Sequence, residues 1–216
     1  VAADEQYLYA ANAGADTSKD QANARHNPDW AGPHFVTLTR FDIASRRVVR
    51  FQGKPEFHRI FEYEASRKDA LGLNGIALLG DRLYVADRPA GGLLVFDKNT
   101  GDPLGRIDIP DVGDVAVFGS SLLAISGDRV VRVALPSGQT TAATAGRGHA
   151  LRGLAADAQG GFYVSDDTDH QIVAYDAKGR ERRRYGIGGG PYAGAYVPAR
   201  LVRPRGTVVF GGRLVV

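Results

Sequence analysis

The 216-residue sequence contains no cysteine. That excludes disulfides, thiolate metal sites, c-type haem attachment and cysteine nucleophiles together. It leaves the compartment open, because a large all-β domain needs no covalent staples. No apolar run approaches the roughly 18 residues of a membrane span. Tryptophan occurs once, at Trp30. There is no Gly-x-Ser-x-Gly elbow, so a serine hydrolase of that type has no support. The stretch "GIGGGP" lacks the Lys-Ser/Thr and the helix that a phosphate loop requires. No signal-peptide pattern opens the chain, which starts at Val1; the expectation is a processed chain or a piece of a longer one. The net charge of +3 is small. It permits contact with anionic partners without demanding it.

What is present is glycine, 28 residues of it, and a repeat. Asn74-Gly75-Ile76-Ala77 returns as Gly113-Asp114-Val115-Ala116, as Arg152-Gly153-Leu154-Ala155 and as Arg205-Gly206-Thr207-Val208. The first three copies stand roughly 40 residues apart, a spacing typical of four-stranded repeat units. The last is delayed by "YGIGGGPYAGAYVPARLVRP", which reads as a glycine- and proline-rich loop.

Within a unit the order is constant. An apolar strand is followed by a tight turn, then by a strand ending in a small polar residue, as in Leu83 to Asp87 and Phe162 to Asp166. A third strand follows, as in Leu93 to Asp97 and Ile172 to Asp176. Turns such as "DKNTG", "LPSG" and "DAKG" supply glycine for left-handed positions. A more polar fourth strand closes the unit, as in the arginine-rich 180–184. Short strands, regular turns and little helical periodicity predict an all-β fold. Four antiparallel strands per unit predict a β-propeller, whose sheets cover their faces by packing on one another.

The first segment is a decorated unit. Residues 7–12 match a second strand, 35–42 a third and 48–51 a fourth. A polar loop, 13–33, is inserted between the second and third, and a segment 53–70, with room for a short helix, follows the fourth. The reading is of one propeller domain over 1–216, opening and closing at a second strand. It comprises three complete and two partial blades of a six- or seven-bladed whole.

"NGIALLGDRLYVADRPAGGLLVFD" and "RGLAADAQGGFYVSDDTDHQIVAYDAKG" resemble NHL repeats, and "LYAAN" with "RFDIASRRVV" resembles the YVTN-type propeller repeat. WD-repeat and kelch patterns do not fit: there is one tryptophan and no Gly-His to Trp-Asp spacing. The resemblance implies kinship with protein-binding scaffolds, RNA-binding NHL domains, gluconolactonase/regucalcin-like enzymes and peptide-amidating lyases. It also implies an extracytoplasmic location, by analogy with bacterial propellers.

In such propellers the residue before the repeat glycine lies near the central channel. Here these positions are Asn74, Gly113, Arg152 and Arg205. Two arginines and an amide there suit a carboxylate or phosphate; the alternative is that the arginines bond neighbouring carbonyls. Asn74 also matches the asparagine of the gluconolactonase metal site, with Asp114 one place later than that family's aspartate. Oxygen ligands of this kind would take calcium or another hard cation. The five histidines, His26, His34, His58, His149 and His170, avoid the channel positions, so no metal site is assigned and no cofactor is expected. Asp87 and Asp166 are read as loop-tying acceptors of backbone N–H groups. "SDDTDH" is read as a solvated turn, since it lacks the glycine and distal glutamate of a calcium loop. The arginine run is read as a polar outer strand, and nucleic acid as an improbable partner.

The favoured function is a non-catalytic propeller that binds a protein partner or serves as a subunit of an assembly. The 13–33 and 53–70 insertions would make the contact, with Trp30, Phe57 and Phe61 as aromatic anchors. A metal-dependent lactonase or lyase at the funnel and an RNA-binding face are the alternatives.

Overall fold

The computed structural model describes residues 1–15, 31–53, 58–66, 73–146, 148–189, 197 and 199–216. Among them there are strands and turns and no α-helix. The chain forms two compact units, Val1–Ile109 and Pro110–Val216.

The first unit holds two sheets. One has the order β1 (Ala2–Ala3), β2 (Tyr7–Ala15), β3 (Ala31–Asp42), β4 (Arg47–Val49), with β5 (His58–Ser66) also paired to β3. The other runs β6 (Leu73–Leu79), β7 (Arg82–Asp87), β8 (Gly92–Asp97), β9 (Pro103–Asp108). The second unit repeats that plan twice. Its strands β10 (Val112–Phe118), β11 (Ser121–Ser126), β12 (Arg129–Val133) and β13 (Thr140–Ala142) form one sheet. Another comprises β14 (Leu151–Ala156), β15 (Phe162–Asp166), β16 (Gln171–Tyr175) and β17 (Glu181–Tyr185). A pair, β18 (Val208–Phe210) and β19 (Arg213–Val215), follows. Neighbours in every sheet are antiparallel.

The burial of each strand follows its composition. In β7 and β8, five of six residues are buried, whereas Glu-Arg-Arg-Arg-Tyr of β17 is exposed throughout. The β6–β7 turn is Gly80-Asp81, with Gly80 at φ 60. A two-residue hairpin with glycine first needs that left-handed angle to match the strand twist. Aspartates at strand ends close the longer turns. Asp97 accepts the N–H groups of Asn99 and Thr100, and Asp176 those of Lys178 and Arg180.

Each unit has its own core, made where one sheet leans on the next. Tyr9, Leu38 and Phe51 pack with Leu83, Val85, Leu94 and Phe96 in the first. In the second, Phe118, Leu123, Ile125 and Val130 pack with Leu154, Phe162 and Val164. Phe162 stacks on Tyr175 at 5.0 Å and meets Phe118 edge-on at 6.1 Å. Arg40 is buried in the first unit with its guanidinium 4.4 Å from the Tyr7 ring and 4.8 Å from that of Phe51. It donates to the carbonyl oxygens of Asn99 and Arg50. The charge is accommodated because ring faces and carbonyls surround it.

Three expectations change. The chain does not open at a second strand: β1 pairs with β2, Ala2 opposite Tyr9. Among its described residues, the segment 53–70 contains a strand, β5, and no helix. Its cause lies in β3, which is twelve residues long while β4 covers only Arg40 to Asp42 of one edge. The rest of that edge needs hydrogen-bond partners, and β5 provides them from Ala31 to Leu38. The 13–33 insertion is also partly strand, since β2 runs on to Ala15 and β3 starts at Ala31.

Candidate functional site

The sequence-derived positions divide between the units. Asn74 lies exposed on β6 in the first. Asp114, Arg152 and Arg205 lie in the second, where shared neighbours link them. On β10, Asp114 accepts the N–H of Val115 through one oxygen and that of Leu154, on β14, through the other, each at 2.9 Å. Burial pushes its carboxyl up to about 6, against the pull of those two donors. Both oxygens are therefore engaged, Oδ1 within β10 and Oδ2 in tying one sheet to the next.

Gly153 lies beside that tie. Its N–H donates to Ser165 Oγ at 2.7 Å, and Ser165 Oγ in turn donates to the Arg205 carbonyl at 3.4 Å. A side chain on Gly153 would collide with the Arg205 carbonyl oxygen. The repeat glycine is thus a point of close backbone approach between β14 and the segment leading to β18.

Arg152 and Arg205 flank this junction, and both turn to Asp167. Arg152 Nε and Arg205 Nη2 each lie 3.5 Å from Asp167 Oδ2. A third guanidinium joins them, Arg203 Nε at 3.8 Å from Asp167 Oδ1. Sequence reasoning missed Arg203 and Asp167 because neither occupies a repeat-defined channel position. The signals available were the doublet Asp166-Asp167 and the close pair in "RPRG".

Asp166 has a different task. Oδ2 accepts the His149 N–H, and Oδ1 accepts those of Ala150, Thr168 and Asp169. Burial works against its charge, but the four N–H groups outweigh it and hold the carboxyl below its ordinary value. This is the loop-tying role expected of it. Asp87 is buried, with Oδ1 3.4 Å from the Ala90 nitrogen.

The His149 ring Nδ1 is 2.7 Å from Asp169 Oδ1, a bond that raises the imidazole above its usual value. His149, Asp166 and Asp169 converge closely enough to share a cation. The N–H groups already aimed at both Asp166 oxygens oppose one there. His170, buried at φ 55, accepts the Arg203 N–H on Nδ1 at 3.0 Å. It anchors the backbone beneath the arginine group. Of the proposed aromatic anchors, Trp30 and Phe57 lie outside the described residues; Phe61 lies on β5 opposite Val36.

No protein-family profile matches the chain, and no curated protein matches it in sequence. Solved structures do match in fold. A chain of a nidogen/laminin complex is similar with a TM-score of 0.55 and 16% identity, over 85% of this chain and 84% of that one. BamB from Moraxella catarrhalis gives 0.52 and 16%, over 84% and 50%. A streptogramin B lyase gives 0.50 and 14%, over 64% and 45%. The chain thus spans half of BamB and less than half of the lyase. With these propellers as neighbours and sequential four-stranded antiparallel sheets, the fold is that of a β-propeller. At such identities the likeness concerns fold alone.

Proposed function

We propose that this is a non-catalytic propeller, of NHL type and forming one domain of six or seven blades when whole, that binds a protein partner through its first blade. One observation carries the reading. Beyond the reach of β1 and β4, strands β2, β3 and β5 continue as a three-stranded ribbon. Among the described residues, β1 pairs with β2 only at Leu8 and Tyr9, so the β2 edge from Ala10 to Ala15 has no strand beside it. An extended edge on a rigid blade is a template for adding a partner's strand. The insertions 13–33 and 53–70 supply the tips of β2 and β3 and all of β5, and Trp30, Phe57 and Phe61 are the proposed anchors.

The metal-dependent lactonase or lyase reading has less support, because both Asp114 oxygens already accept backbone N–H groups. An extracytoplasmic location belongs to the proposal and is checked by fractionating the native cells. The docking test is a photocrosslinking residue at Asn12 or Gly14 of β2, with one at Arg182 of β17 as control. Specific adducts from β2 alone, identified by mass spectrometry, support the reading. Equal adducts from both strands, or none, defeat it.

A further inference from the structure

The group around Asp167 is out of charge balance. Among the described residues, three guanidiniums, Arg152, Arg203 and Arg205, pair with one carboxylate, leaving two positive charges in excess in this group. Asp167 is 11% exposed, whereas the arginine side chains are 41%, 68% and 67% exposed in that order. The carboxylate therefore lies beneath a rim of cations open to solvent.

The contacts to Asp167, at 3.5 to 3.8 Å, are longer than the roughly 2.7–2.9 Å of a charge-assisted hydrogen bond. Asp167 Oδ1 is buried and, among the described residues, has no hydrogen-bond partner. Among the described residues, no group accepts a hydrogen bond from any of the three guanidiniums. Their forks are gathered by charge while their donors remain available, up to five on each.

The supporting backbone is fixed. Arg152 is on β14. The Arg203 N–H is bonded to the buried His170 ring, the Arg205 carbonyl accepts from Ser165, and Pro204 between them is buried. The two charges that Asp167 does not balance repel one another until a further anion joins them.

We propose that Arg152, Arg203 and Arg205 form a binding site for the dianion of a phosphate monoester, seated on the solvent side of Asp167. Two surplus charges match two negative ones. A tetrahedral group with several acceptor oxygens can be reached by three forks at once. The open rim leaves the carrier of the phosphate in solvent, so the site reads the phosphate itself. The proposal is independent of ribbon docking, since its residues all belong to the second unit.

The test is a titration of the whole chain at constant pH and ionic strength, following the arginine Nε–H resonances by NMR. The probes are O-phosphoserine, free and within a short peptide, and dimethyl phosphate as a monoanionic diester. Saturable shifts of the three arginines with both phosphoserine forms are expected, with the diester at least about tenfold weaker. Equal affinity of the two forms assigns the source to a small molecule; tighter binding of the peptide assigns it to a modified protein. Arg152→Gln, Arg203→Gln and Arg205→Gln should each weaken binding about tenfold, and Arg205→Lys should not restore it, because the fork is lost. Thermal unfolding checks that each variant is folded, and the monoester-to-diester ratio in the unmodified protein needs no variant. Absence of shifts at millimolar phosphoserine, equal response to the diester, or affinity unchanged in Arg205→Gln overturns the site.

Discussion

Gly153 and Gly206 occupy the same place in the repeat, yet they are unequal. A methyl group on Gly153 would strike the Arg205 carbonyl, whereas one on Gly206 meets nothing within 4 Å. Gly153→Ala should therefore cost about 1–3 kcal/mol of stability through overpacking. Gly206→Ala should be near neutral, and paired urea unfolding curves check the difference. Asp114 yields a prediction in pH. Its folded value of about 6 exceeds the ordinary 3.8, so folding favours the protonated form. The stability it contributes is complete below about pH 3.8 and is lost as pH rises through 6. The loss should be on the order of 2–3 kcal/mol. A carboxyl NMR titration with its midpoint near 6 would confirm it. So would a pH slope in the urea midpoint that is absent from Asp114→Asn. The sequence singled out Asp114, Arg152 and Arg205 from their repeat positions. It could not show that Asp114 is committed to backbone donors, nor that Arg203 and Asp167 complete the group. Those facts depend on which loops meet, and the repeat pattern is silent on that.

Among the elements, the loop after β15 depends on a single side chain. Asp166 holds four N–H groups from two segments. Asp166→Ala should cost about 2–3 kcal/mol by leaving those donors short of partners. Hydrogen exchange should quicken at His149, Ala150, Thr168 and Asp169 while the amides of β10 and β11 keep their protection. The strand plan of β6 to β17 was legible because each unit repeats the same alternation of apolar strand and Asp/Gly turn. β5 was not. Its charged and aromatic residues carry no repeat signature, and its strand state follows from an open edge on β3 rather than from its own propensity. β1 escaped for a related reason, since two alanines carry no pattern.

At the scale of each compact unit, stability resides in the face its neighbouring sheets share. Phe162 is fully buried in the second unit, stacked on Tyr175 and edge-on to Phe118. Phe162→Ala should cost about 3–5 kcal/mol, read from the midpoint of chemical unfolding. The far-ultraviolet spectrum of the unmodified protein should be dominated by β-structure. One arrangement in the first unit has a wider consequence. β3 divides a single edge between two neighbours, β4 near the blade and β5 further out. The outer stretch can therefore be exchanged for foreign sequence while the inner stretch keeps its grip, which makes this blade a chassis on which evolution, or an engineer, can mount new attachments.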